Sequence, residues 1–79
     1  MKRALLCLAL ALAAGSAQAD DRSDCIAGIA MLQAELPKAA GAVRTKVERE
    51  LRVARREQNE GEFDECMDAI RAGRTALGK

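Results

Sequence analysis

The cysteines Cys25 and Cys66 are the side chains in this sequence whose type and spacing most clearly allow chemistry. They lie 41 positions apart, neither belongs to a Cys-x-x-Cys pair, and the chain has no histidine to complete a zinc site. Two cysteines in a small protein that reaches an oxidising compartment are typical of a disulfide. The spacing therefore predicts a Cys25–Cys66 bond, with free thiols, a redox site and a metal site as the alternatives.

Acidic side chains cluster in the last third of the chain and could act as acid and base or hold a hard cation. The pattern lacks the alternating Asp/Asn ligands and the closing glutamate of a calcium loop. Acid–base pairs need a cleft with one carboxyl group in an apolar pocket, and a short helical chain has little room for one. We therefore expect a solvated helix end, no enzyme, no metal and no cofactor. The cluster comprises Glu57, Glu60, Glu62, Asp64, Glu65 and Asp68.

Basic side chains recur in the middle of the chain, where Arg49, Arg52 and Arg56 share one face of a helix. Nucleic-acid binding favours a net basic domain, with aromatic side chains if the target is single-stranded. Phe63 is the only aromatic residue, and glutamates interrupt the basic run. The pattern thus predicts a solvated, salt-bridged face that is a candidate surface for a protein partner, and it predicts no nucleic-acid binding.

The first 19 residues have the organisation of a secretory signal peptide. Lys2 and Arg3 precede an apolar run over residues 4–15, and small residues at −3 and −1 predict cleavage between Ala19 and Asp20. The apolar run is shorter than the roughly 20 residues that span a bilayer. We expect a domain of residues 20–79 in the periplasm or secreted, without a stable membrane anchor after cleavage.

Removal of residues 1–19 changes the cysteine count and the net charge of the remaining domain. Cys7 lies within the apolar run, resembles no lipoprotein cleavage site, and leaves with it. Residues 20–79 carry 11 basic and 12 acidic side chains, so the formal net charge falls from +1 to −1. A 60-residue chain buries only about 60% of its unfolded surface, so a covalent cross-link is needed to support its core.

Three helices are predicted, at about residues 24–36, 38–60 and 62–77, with Gly41 as an alternative start of the second, because helix-favouring residues dominate and no strand pattern occurs. Ser23 is the expected N-cap of the first helix, Pro37 ends it, and Gly61 ends the second. The last two residues are expected to fray. The apolar stripes comprise Cys25, Ile29, Leu32 and Leu36; Val43, Val47, Leu51 and Ala54; and Phe63, Cys66, Ile70, Gly73 and Leu77, with Met67 widening the third.

Oppositely charged residues four positions apart support the second helix. The predicted ion pairs are Arg44–Glu48, Lys46–Glu50 and Glu48–Arg52.

The three stripes must cover one another, which predicts an all-α fold: a small antiparallel three-helix bundle or a helical hairpin with one disulfide. In an up-down-up bundle the first and third helices run parallel. Cys25 and Cys66 both lie near the start of their helices, so this topology brings them to the same end of the bundle.

The segment from Gly61 to Gly73 resembles the turn and second helix of a tetratricopeptide repeat. Gly61 matches the turn glycine, Phe63 the aromatic position and Cys66 a small packing position, while Ala54 matches a small residue of the preceding helix. The departures are Glu50 and Glu57, which stand where that family has bulky residues. The resemblance implies a protein-interaction module and a buried Cys66.

Together these features predict a small non-enzymatic exported helical protein that binds another protein or has a structural role. The arginine face of the second helix is the candidate partner surface, and the same face could form a homodimer. The alternatives are an envelope or membrane-surface protein and a redox-responsive switch that works through the two cysteines.

Overall fold

Helix-favouring residues fill the chain, and the structure, a computed structural model that describes residues 20–79, is α-helical except at two connections, residues 36–40 and 60–62, and at the last three residues. The first helix, α1, covers residues 20–35; α2 is Gly41–Asn59 and α3 is Phe63–Ala76. A short 3₁₀ turn, Leu36–Lys38, follows α1. No strand occurs within residues 20–79, and the all-α three-helix prediction is confirmed.

The three helices form an up-down-up bundle. Cys25 on α1 bonds to Cys66 on α3, Gly28 lies against Ile70 one turn further along, and Leu32 lies against Gly73 after that. The offset between partners stays at 41 or 42 residues, so α1 and α3 run parallel and in step. The helix α2 runs the other way and contacts α3 along its length.

The predicted disulfide is present. The Cα atoms of Cys25 and Cys66 are 5.8 Å apart and the sulfurs are bonded at 2.05 Å. Both side chains are completely buried. The bond therefore lies inside the core and joins the second turn of the described part of α1 to the start of α3, at what we call the disulfide end of the bundle.

One face of each helix supplies the core, as the apolar spacing predicts. Val43 is a correction: it belongs to the predicted stripe of α2 but is 40% exposed. It lies one turn into α2, beside Ala76 and Leu77 and beyond the end of α1, so no helix covers it. The buried apolar residues are Cys25, Ile29, Leu32, Val47, Leu51, Ala54, Cys66, Ala69 and Ile70.

The start of α1 differs from the predicted one. Ser23 does not cap α1, because the chain is already helical at residue 20. Pro37 occupies the 3₁₀ turn, and α2 begins at Gly41, the later of the two starts that the sequence allows. Gly41 has φ = +59°, a left-handed conformation that only glycine adopts at little cost, so the chain reverses there before the helix starts.

The helix ends are closed by glycine motifs. At the end of α2 the Gly61 amide donates to the Gln58 carbonyl and the Glu62 amide to the Glu57 carbonyl, which is a Schellman motif. The predicted role of Gly61 is confirmed. The fraying expected for the last two residues is wrong, because Lys79 donates its amide to the Arg74 carbonyl in a second motif of this kind.

Glycines allow α1 and α3 to pack closely. A Cβ atom built on Gly28 would lie 2.7 Å from Cγ2 of Ile70, and one built on Gly73 would lie 2.8 Å from Cδ1 of Leu32. Each helix thus presents a glycine to a branched side chain of the other. The two backbones therefore approach closely. On the side of α1 and α3 that faces away from α2, this close contact leaves a shallow groove.

Candidate functional site

A groove between α1 and α3 is the apolar surface of the bundle that α2 leaves uncovered. It has a volume of about 540 Å³. Met31 and Met67 are half-buried at its sides, Ile70 forms its floor, and Asp24 and Arg74 are exposed at its corners. We call it the methionine groove; it is lined by Asp24, Ala27, Gly28, Met31, Met67, Ile70, Arg74 and Lys79.

This surface is not among the predicted sites, although the sequence contains a signal for it. Ala27, Gly28 and Met31 lie on α1 at one edge of the core stripe, so they form a second, weaker apolar strip at helical spacing. Met67 does the same on α3. The two strips become one surface only because α1 and α3 run parallel and in contact.

The predicted partner surface on α2 is exposed as expected: Arg49, Arg52 and Arg56 all point to solvent. Its apolar stripe, however, is used in the core, where Val47 and Leu51 are buried. The outer face of α2 is therefore polar throughout. A protein interface usually has an apolar centre with a polar rim, which this face lacks.

Only one of the predicted ion pairs of α2 forms. Arg44 Nε lies 3.4 Å from Glu48 Oε1. The predicted Lys46–Glu50 and Glu48–Arg52 pairs are not within 4 Å in the part of the chain that the structure describes. Exposed pairs of this kind contribute little and compete with water, so their absence costs little stability.

The acidic cluster lies at the turn between α2 and α3, and most of its members are exposed. Glu57 is the exception and a correction to the solvated cluster, because it is 7% exposed. Arg56 Nε donates to Glu57 Oε1 at 3.2 Å, which compensates the buried charge. Asp68 pairs instead with Arg71.

Glu57 and Glu65 come together across the α2–α3 contact. The pKa of Glu65 is raised from its ordinary value of 4.5, first by a hydrogen bond with the Glu57 side chain and then by the charge of Glu57. Lesser contributions come from burial and from the charges of Glu62 and Asp64. The carboxyl groups in contact are those of Glu57 and Glu65, and this pair lies at an open helix contact rather than in an apolar cleft.

The raised pKa of Glu65 predicts a pH dependence of stability. The folded protein holds this proton more tightly than the unfolded chain, so the stabilisation is complete below pH 4.5 and is lost as the pH rises through the raised pKa. In Glu57→Gln the new amide can donate to Glu65, and we expect the pKa of Glu65 to move back toward 4.5. Carboxyl carbon NMR titration measures this pKa directly.

The matched control is Glu48→Gln, which removes a carboxylate from α2 away from the cluster and should leave the Glu65 titration unchanged. If Glu65 titrates identically in Glu57→Gln and in the wild type, the contact between the two carboxyl groups does not set its pKa.

The remaining predicted sites can be placed briefly. The signal peptide with Cys7 and Ala19 lies outside the described residues, whereas Asp20 is the first residue of the described part of α1. Across residues 20–79 no group of three acidic or cysteine side chains is arranged to hold a metal ion. In the same residues no helix is both long and apolar enough to cross a bilayer.

Comparisons with protein-family models, with curated proteins and with solved structures gave no match to this chain. The resemblance of residues 61–73 to a tetratricopeptide unit therefore stays a prediction.

Proposed function

We propose that residues 20–79 form an exported, non-enzymatic module that binds a protein chain through the methionine groove. The observation that carries the proposal is the composition of that groove: half-buried methionines and a buried isoleucine at its centre, with charged residues only at its edge. Methionine is flexible and polarisable, and it fits apolar partner side chains of different shapes.

The groove is better suited to this role than the arginine face. Burial of Met31 and Met67 would remove apolar area from water, at about 25 cal/mol per Å². Arg49 and Arg52, by contrast, have no exposed apolar neighbour on the outer face of α2. These arginines are suited to the polar rim of an interface or to a face of α2 that remains exposed to solvent.

Export is supported by the sequence features of residues 1–19 and is consistent with a disulfide in a chain of this size. A non-enzymatic role is supported by the chemistry of the described residues. The one carboxyl pair in contact, Glu57 and Glu65, has no enclosed cavity beside it, because the neighbouring depression is wide open to solvent.

The two alternatives have less support. A redox switch needs a disulfide that a thiolate can reach, and both Cys25 and Cys66 are 0% exposed. A membrane-surface helix needs a wide apolar face opposite a basic one, whereas the groove lies between two helices and carries acid at one corner.

Site-specific photo-crosslinking in the producing cells tests the proposal. A benzophenone side chain is introduced at Met31 or Met67, and at Arg49 or Arg52 for comparison. We expect a discrete covalent adduct from the groove positions and none from the arginine positions. The amino terminus of the adduct should be Asp20 if the chain is exported as proposed.

Adducts from the arginine positions alone would indicate that the partner binds the arginine face of α2 rather than the methionine groove. The absence of adducts from all four positions would leave the module without a partner on either face and would overturn the proposal. Material that begins at Met1 would contradict export.

A further inference from the structure

The methionine groove has a geometry that fits a copy of itself. Asp24 and Met31 are seven residues apart on α1, and Met67 and Arg74 are seven residues apart on α3. Seven residues are two helical turns, or about 10 Å. Since α1 and α3 are parallel and in step, the four side chains mark the corners of a roughly square patch.

The two kinds of side chain occupy opposite diagonals of this patch. Asp24 and Met67 stand at the corners nearer the disulfide end, and Met31 and Arg74 at the corners farther from it. One diagonal therefore joins the two methionines, and the other joins a negative charge to a positive one.

We propose that the groove binds a second copy of this chain, related by a two-fold axis along the methionine diagonal. This inference rests on the proposed function and names its partner. A two-fold interface places the same patch on both protomers, so that each contact occurs twice. Rotation about the methionine diagonal exchanges the ends of the other diagonal, which sets Asp24 of each protomer against Arg74 of its partner.

The charges select this axis over its competitors. A two-fold axis along the other diagonal would set Asp24 against its own copy and Arg74 against its own copy, which is repulsive at both corners. In the favoured arrangement each methionine contacts the same methionine of the partner on the axis. This contact is apolar, so it involves no repulsion between like charges. The helices of the two protomers then cross nearly at right angles.

The same reasoning disfavours the homodimer that the sequence suggests through α2. A two-fold axis on the outer face of that helix would bring Arg49, Arg52 and Arg56 against another set of arginines.

Charge reversal and mixing test the arrangement by sedimentation equilibrium of purified residues 20–79. We expect a reversible dimer in the wild type. Asp24→Arg alone and Arg74→Asp alone each place like charges at both contacts, and each should weaken dimerisation about tenfold or more. An equimolar mixture of the two variants should form a heterodimer at wild-type strength, because both of its contacts are again Asp opposite Arg. The chain that carries both changes should dimerise like the wild type.

Arg49→Asp is the matched control: it makes the same charge change on α2 and should leave the dimer unaffected. Far-UV circular dichroism of each variant shows that the helices are retained. A wild-type domain that stays monomeric up to roughly 1 mM, a concentration that corresponds to only about 4 kcal/mol of binding free energy, overturns the inference.

Failure of the mixture to associate overturns it as well, because the proposed axis sets Asp opposite Arg at both contacts of the heterodimer. The mass of the crosslinked adduct separates the two proposals. An adduct of twice the chain mass supports self-association. An adduct with a different protein keeps the proposed function and rejects the second copy as the partner.

Discussion

Replacing Cys25 and Cys66 together by alanine is expected to lower the free energy of unfolding of residues 20–79 by about 4 kcal/mol, the chain-entropy value for a loop of this length. The total stability expected for 60 residues is about 3–9 kcal/mol. The loss is thus about half to all of the stability of the domain, and the urea midpoint of the double variant should fall sharply. Urea denaturation followed by circular dichroism measures the difference.

The reduced wild type is the matched comparison, because it keeps both sulfur atoms in the core while it opens the loop. Agreement between the reduced wild type and the double variant assigns the loss to loop closure. A smaller loss in the reduced protein assigns the remainder to the packing of two fully buried side chains. Equal unfolding free energies for the oxidised and reduced wild type would contradict the prediction.

Gly28→Val is expected to destabilise the fold by about 2–3 kcal/mol, at the upper part of the range for overpacked contacts. The new Cβ would lie 2.7 Å and 2.8 Å from the two γ carbons of Ile70. Both atoms are fixed to a branched Cβ, so Ile70 cannot rotate them away freely and the two helices must separate. Denaturation at a concentration too low for self-association measures the effect on the monomer.

Ala30→Val is the control, because it introduces the same side chain on an exposed position of α1. Its cost should not exceed the helix propensity difference of about 0.7 kcal/mol. Ile70→Ala should cost less in the Gly28→Val background than in the wild type, since it also removes the atoms that clash. If the two valine variants are equally stable, the close contact between α1 and α3 does not depend on Gly28.

The core and the disulfide could be predicted from the sequence because they depend on local spacing. Cys25, Ile29 and Leu32 recur at helical intervals, and the order of three helices places Cys66 near Cys25. The helix starts were less predictable. The beginning of α2 depends on the left-handed backbone at Gly41, and no spacing of side chains specifies which glycine takes that conformation.

The candidate site could not be predicted from the sequence because it belongs to a pair of helices. On its own helix, each of Met31 and Met67 is an edge residue of the apolar stripe. Only the register between α1 and α3 brings the two methionines to the same groove. The burial of Glu57 could not be predicted for the same reason, because it also depends on the packing of two helices. Its position among exposed acidic residues predicts solvation, whereas the packing of α2 against α3 decides otherwise.

The bond between Cys25 and Cys66 also decides what a cut between α1 and α2 does to the chain. The connection over residues 36–40 contributes no fully buried residue, and Lys38 within it is exposed. A protease that cleaves after Lys38 separates α1 from the α2–α3 hairpin along the backbone, yet the two pieces remain joined through sulfur. The cut also opens the loop that the disulfide closes, so the joined pieces should have about the stability of the reduced chain.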